Sequence, residues 1–187
     1  MSKASTRTLF YIPGLGNKKT EDRQERYLRL WGRIHHREIY FFRPNWHSSE
    51  SYNEKWKRLE ESIASIRKES LTVVGVSAGA SLAVRLSSEN PRIPHTITVC
   101  GKLKGFDSIG KEYLKRAPAL YESVKYSENS ITKLQHESSR FTCYSSLFDP
   151  VVPNQDTYFS RARRKNIPIV GHSIAIVLYL VFFLPRK

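Results

Sequence analysis

Short runs of β-branched and apolar residues alternate along the chain with longer stretches whose apolar positions recur at threes and fours. Thr8–Ile12 is the first compact run, ended by Pro13-Gly14-Leu15-Gly16. From Thr20 to Trp31, Tyr27, Leu28, Leu30 and Trp31 stand among charges, which predicts a helix with one buried stripe. Glu38–Phe42 reads as a second strand, closed by Arg43-Pro44-Asn45. The polar stretch Ser48–Tyr52 then suits the start of a helix over Asn53–Glu69, where Trp56, Leu59, Ile63 and Ile66 keep the helical period. Leu71–Val74, Thr96–Cys100, Phe141–Ser145 and Ile167–Val170 are near-continuous apolar or β-branched runs, as strands covered on both faces require. Helices are predicted between and after them at Gly79–Ser87, within a mixed region 107–138, at Asn154–Arg164 and at Ser173–Phe183.

This alternation predicts an α/β fold. A mostly parallel sheet of about six strands would lie between two helical layers, as a three-layer α/β/α sandwich. The 187 residues show no internal repeat or low-complexity linker, so 1–187 reads as a single domain. A chain of this length buries roughly 70% of its unfolded surface and needs no metal or disulfide staple. Its longest connection, 101–140, carries Gly105, Gly110, Pro118 and helical pieces near Ile109–Lys115 and Ser130–Gln135. It follows a strand's carboxyl end, where parallel sheets place their sites. It is therefore a candidate lid or pocket wall, the alternative being an ordinary connection with a surface helix.

Composition changes the picture little, and charge changes it more. With 40% apolar and 26% charged residues the chain is neither collagen-like, disulfide-rich nor disordered. Cys100 and Cys143 lie in apolar runs without Cys-x-x-Cys spacing and read as buried reduced thiols, which points to a cytoplasmic protein. Thirty-one Lys and Arg against 17 Asp and Glu give a net charge of +14. Such a field attracts nucleic acid, anionic lipid surfaces or acidic substrates. The densest basic runs, Arg161–Lys165 and the alternating charges of Lys18–Arg37, also fit solvated helix faces, and no nucleic-acid-binding motif accompanies them. The polar amino terminus does not resemble a signal peptide. The nearly uncharged stretch Ile167–Leu184 is interrupted by Pro168, Gly171, His172 and Ser173, and its clean part Ile174–Leu184 falls short of the ~20 residues of a membrane span, so a buried strand followed by a buried helix is expected there rather than a tail anchor.

The candidate chemistry lies in Val73-Val-Gly-Val-Ser-Ala-Gly-Ala-Ser81. Gly75-x-Ser77-x-Gly79 falls where a strand ends and a helix begins. A serine hydroxyl becomes a nucleophile only when exposed and paired with a base. A sharp strand-to-helix turn provides the exposure, and small neighbours at Gly75, Gly79 and Ala80 permit the turn. The new helix also aims backbone N–H groups at developing negative charge. Gly14-Leu15-Gly16 starts like a dinucleotide fingerprint, but Lys19 holds the third glycine position and no acid closes the second strand. No phosphate-binding Gly-x-x-x-x-Gly-Lys loop and no metal-ligand spacing occur, so neither cofactor nor metal is expected.

At these residues the chain resembles the α/β-hydrolase family. The family's order is serine, acid, histidine, each after a successive strand. Asp149, in Ser146-Leu-Phe-Asp-Pro-Val-Val-Pro153, is similar to the family's acid loop, and His172 stands where the family places its base. The resemblance implies a triad of Ser77, Asp149 and His172, with the backbone N–H of Ala78 and Leu15 as oxyanion donors. The family's usual His-Gly at the second donor is Pro13-Gly14 here. Duller readings stand beside each: Ser77 in a plain turn, Asp149 as a cap, His172 as a core or capping histidine. The resemblance further implies sheet order 2-1-3-4-5-6 and a small serine hydrolase, most simply a carboxylesterase acting on short or medium acyl esters or thioesters. The alternative is a non-catalytic binder on the same fold, using its basic surface for nucleic acid or anionic membrane. Clustering of Arg161, Arg163, Arg164 and Lys165 with Lys102 and Lys104 on one face would favour that binder.

Overall fold

The computed structural model describes residues 7–66, 71–134 and 138–185. The predicted end of the second helix at Glu69, and Gln135 and His136 of the 101–140 connection, lie outside the described residues. The chain runs β1 (Thr8–Ile12), α1 (Lys18–Ile34), β2 (Glu38–Phe41), α2 (Tyr52–Ala64), β3 (Leu71–Val76), α3 (Gly79–Glu89) and β4 (His95–Val99). It continues with α4 (Lys111–Arg116), α5 (Ala119–Lys133), β5 (Phe141–Phe148), β6 (Arg163–Val170) and α6 (His172–Leu178), the last extended by a π-turn over Tyr179–Phe183.

All six strands join one sheet in the order β2-β1-β3-β4-β5-β6, and every neighbouring pair is parallel. Parallel strands must be covered on both faces, and the two faces are covered unequally. One face packs α2, α3 and α5 around Trp46, Trp56, Leu59, Leu82 and Val124. The other packs α1 and α6 around Leu9, Tyr11, Trp31, Ile167 and Tyr179. The result is a three-layer α/β/α sandwich. No helix among the described residues is long and apolar enough to cross a membrane.

Caps fix the helix starts. Asn17 accepts from the Thr20 N–H at the start of α1. Ser51 and Glu54 form a reciprocal capping box on α2.

Three predicted elements differ from the structure. Asn154–Arg164 is not a helix: a single 3₁₀ turn at Asn154–Asp156 is followed by irregular chain, and Arg161 adopts a left-handed φ of 65°. β6 begins at Arg163 to pair with Thr142, four residues before the apolar run at Ile167 marks it. The 101–140 connection is dominated by α5, which the predicted pieces miss except at its end. The buried stripe of α5 sets Ser123, Ser127 and Ser130 beside Leu120 and Val124, which weakens its apolar period.

Candidate active site

Ser77 sits between the end of β3 and the start of α3 with φ at 52°, a left-handed conformation that costs an L-residue energy. The surroundings hold it there. Its N–H donates to the Val99 carbonyl at 2.9 Å, and its own carbonyl accepts from Ala80 at 3.1 Å and Lys102 at 3.3 Å. A Cβ on Gly75 would lie 2.6 Å from the Ala83 Cβ, and one on Gly79 would strike the carbonyls of Ile12 and Pro13. Only glycine lets β1, β3 and α3 converge beneath the serine.

Asp149 follows β5 directly, and His172 opens α6 after Gly171, which has a positive φ of 110°. His172 Nε2 is 2.9 Å from Ser77 Oγ, and its Nδ1 is 2.7 Å from Asp149 Oδ2. The Asp149 side chain is fully buried and that of His172 is 10% exposed. The second carboxylate oxygen of Asp149 accepts from the Val151 and Val152 N–H groups, both at 2.9 Å. Burial pushes this carboxyl up, but the bonds from His172 and from the two backbone N–H groups outweigh it, so Asp149 is held below the ordinary carboxylate range.

The other predicted residues also gather here. Leu15 and Ala78 line a narrow cleft of about 80 Å³ beside Ser77. Gly16 N–H donates to the Gly14 carbonyl at 2.8 Å, closing a three-residue turn that leaves the Leu15 N–H outside it. Buried Trp46 donates to the Pro13 carbonyl at 3.3 Å and steadies this loop. On the His172 side of Ser77 lies a wider groove of about 440 Å³, walled by Thr20 and Gln24 of α1 and by Ile176 and Val177 of α6. Tyr113 of α4 and Val151 border both spaces.

Residues that motif reading misses build the cleft floor. Lys102 lines it with its ammonium 2.6 Å from Asp156 Oδ2 and 2.8 Å from Ser108 Oγ. Asp156 lies in a 3₁₀ turn that aims it at Lys102. No sequence signal announces a pair 54 positions apart. Lys102 is therefore not part of a surface cluster. Lys104 and Arg164 do share the Tyr158 ring, at 5.5 and 4.1 Å from its centroid, but strand alternation turns Lys165 to the other face, over Tyr144.

Cys100, Asp149 and His172 place ligand atoms within 4.8 Å of one another. This group does not suit a metal. Both Asp149 oxygens already accept hydrogen bonds, and burial together with the Asp149 charge pushes the Cys100 thiol up to about 12. A thiol held protonated is a poor ligand.

No protein-family model matches the chain, and no curated protein matches it in sequence. Solved structures match it in shape. An α/β-hydrolase enzyme from a sediment metagenome of the Mar Chica lagoon in Morocco superposes with a TM-score of 0.64 at 14% identity, over 95% of this chain and 85% of its own. A monoacylglycerol lipase of Paleococcus ferrophilus gives 0.59 at 14% identity, over 94% and 95%. The thioesterase domain of the curacin biosynthetic pathway gives 0.62 at 12% identity, over 97% and 92%. At such identities the likeness is one of fold, and the fold is that of the α/β hydrolases.

Proposed function

We propose that this chain is a serine hydrolase that cleaves carboxylic esters or thioesters of short acyl groups through Ser77, His172 and Asp149. The observation that carries this reading is the continuous hydrogen-bonded line from Ser77 Oγ to His172 to a buried, ionised Asp149.

His172 Nε2 takes the Ser77 proton as the hydroxyl oxygen attacks the acyl carbon. Asp149 holds the imidazole tautomer and stabilises the imidazolium. The tetrahedral oxyanion lies within reach of the Ala78 and Leu15 N–H groups, and losing one such donor costs ~3 kcal/mol of transition-state stabilisation. His172 then protonates the leaving alcohol or thiol, and water repeats the sequence on the acyl-enzyme. Because His172 lines only the wide groove, the leaving group belongs there and the acyl group in the narrow cleft. The cleft's small volume favours short acyl chains. The 101–140 segment then acts as its wall through Ser108, Ile109 and Tyr113.

The test is labelling of the purified protein with a fluorophosphonate, followed by mass spectrometry of the adduct. Modification at Ser77 that vanishes in His172→Ala supports the reading. A folded protein that takes no label, or takes it equally without His172, refutes it.

A further inference from the structure

The groove beside His172 opens into the seam between α1 and α6, to which α6 brings an apolar surface and α1 brings cations as well as apolar groups. They share the same face of the sheet, and the Tyr27 hydroxyl of α1 donates to the Leu180 carbonyl at 3.0 Å. The outer side of α6 and its π-turn is apolar: Ile174 and Val177 are each 56% exposed, and Phe182 is 61% exposed. Of these, Val177 borders the groove beside Ile176, so the apolar surface of α6 reaches from solvent to the space beside the candidate nucleophile.

The flank of α1 nearest α6 carries cations beside the exposed Leu30 and Ile34. Helical spacing puts the exposed Lys19, Arg23 and Arg26 on the side of α1 that runs outward from Tyr27, around the exposed Leu30. None of them is ion-paired with a described residue. The acids of the same helix, Glu21, Asp22 and Glu25, are held by Arg43. Beyond Asp156 the chain contains no acidic residue at all.

An exposed apolar strip flanked by unpaired cations matches the boundary layer of an anionic bilayer, where headgroups meet acyl chains. A second copy of this chain fits poorly, since it would bring like charge against like charge on a molecule of +14. We propose that the α1–α6 face docks on membranes containing anionic phospholipid and presents the groove to esters resident in that lipid layer. The choice of substrate rests on the hydrolase reading; the docking does not.

The test uses the Ser77→Ala protein, which removes turnover from the readout, in co-sedimentation at low salt. The vesicles are phosphatidylcholine alone, or phosphatidylcholine mixed with phosphatidylglycerol. Sedimentation with the anionic vesicles only is expected. Arg23→Gln/Arg26→Gln should weaken vesicle affinity roughly 25-fold, at about five-fold per basic residue. Lys57→Gln/Lys133→Gln removes the same charge from exposed positions on α2 and α5, in the opposite layer, and should change it little. Phe182→Ser should also weaken binding, which separates insertion from a purely ionic contact. Failure to bind anionic vesicles, or equal loss in the two double variants, overturns the proposal. So does binding of DNA through Arg23 and Arg26 without vesicle binding, or a dimer in solution that covers Phe182. Vesicle binding by a protein whose native form takes no fluorophosphonate would refute the hydrolase reading and leave the docking face intact.

Discussion

Asp149 is the residue whose environment says most about the candidate chemistry, because both of its carboxylate oxygens are hydrogen-bonded. Replacing it with Asn keeps the shape but presents an amide to His172 Nδ1, favouring the wrong tautomer. Asp149→Asn is expected to lower kcat by ~10⁴-fold with little change in KM, measured on a short-chain aryl ester. The same residue predicts an acid limb of stability. Its folded pKa lies below its unfolded value, so its stabilisation is complete above that unfolded value of about 3.9. It is lost as pH falls through the lower folded value. Urea midpoints followed from about pH 5 down to pH 2 should therefore fall more steeply for the native protein than for Asp149→Asn; parallel curves would contradict the assignment. The thiols make a simpler case. Burial pushes Cys143 up to about 11, and burial with the nearby Asp149 charge pushes Cys100 up to about 12. Neither should react with a thiol reagent at neutral pH until the protein unfolds, and rapid modification of either would contradict that. At this scale Ser77, Asp149 and His172 are legible in the chain because each stands at the end of its own apolar strand, with small or proline neighbours that mark a turn. Lys102, Asp156 and Trp46 are not, because a lysine, an acid and a tryptophan acquire their partners only when distant loops meet.

Elements show where periodicity works and where it does not. Most strands and the helices α1, α2 and α6 are legible because apolar residues mark their covered faces, and α3 because the small residues of the turn announce its start. α5 is not, because it approaches α3 through small polar groups, with Ser123 Oγ 2.6 Å from Ser81 Oγ. A hydroxyl pair satisfied inside the core leaves no hydrophobic signal. The false helix at Asn154–Arg164 has the opposite origin. Its composition permits a helix, but pairing of Arg163 with Thr142 and burial of Phe159 against Phe141 draw the chain straight into β6. Arg85 shows what holds the α2–α3–α5 layer together. Its guanidinium lies 3.9 Å from the Trp56 ring centroid and 4.4 Å from that of Tyr126, while donating to the Tyr52 hydroxyl at 2.8 Å and to Glu89 at 2.7 Å. One side chain thus ties three helices. Arg85→Ala should destabilise the fold by about 2–3 kcal/mol in chemical denaturation, the sum of a desolvated cation–π contact and a charged hydrogen bond. A loss below about 0.5 kcal/mol, the scale of an ordinary surface substitution, would place the layer's stability elsewhere.

For the whole molecule the question is which electrostatic effect governs, attraction within ion pairs or repulsion among a surplus of cations. The attractive side is concentrated at a few places, chiefly Arg43 with Glu21, Asp22 and Glu25, and Glu50 with Lys55 and Arg58. Several of these groups are partly exposed, where a pair is worth only ~0–1 kcal/mol. The repulsive side is the +14 surplus, spread over both helical layers and over β6. Compact folding forces those charges together, and unfolding lets them separate. Salt shortens the reach of both effects, from about 30 Å at 0.01 M to about 10 Å at 0.1 M, but it acts most on the long-range repulsion. Repulsion should therefore win: the melting temperature is expected to rise as NaCl is raised across that range, and a fall would mean that the Arg43 and Glu50 clusters dominate. Attraction between the α1 flank and anionic lipid is screened by the same ions in the same range. Salt should thus strengthen the fold while releasing it from vesicles, and two opposite slopes from one titration would separate surface recognition from general loss of structure.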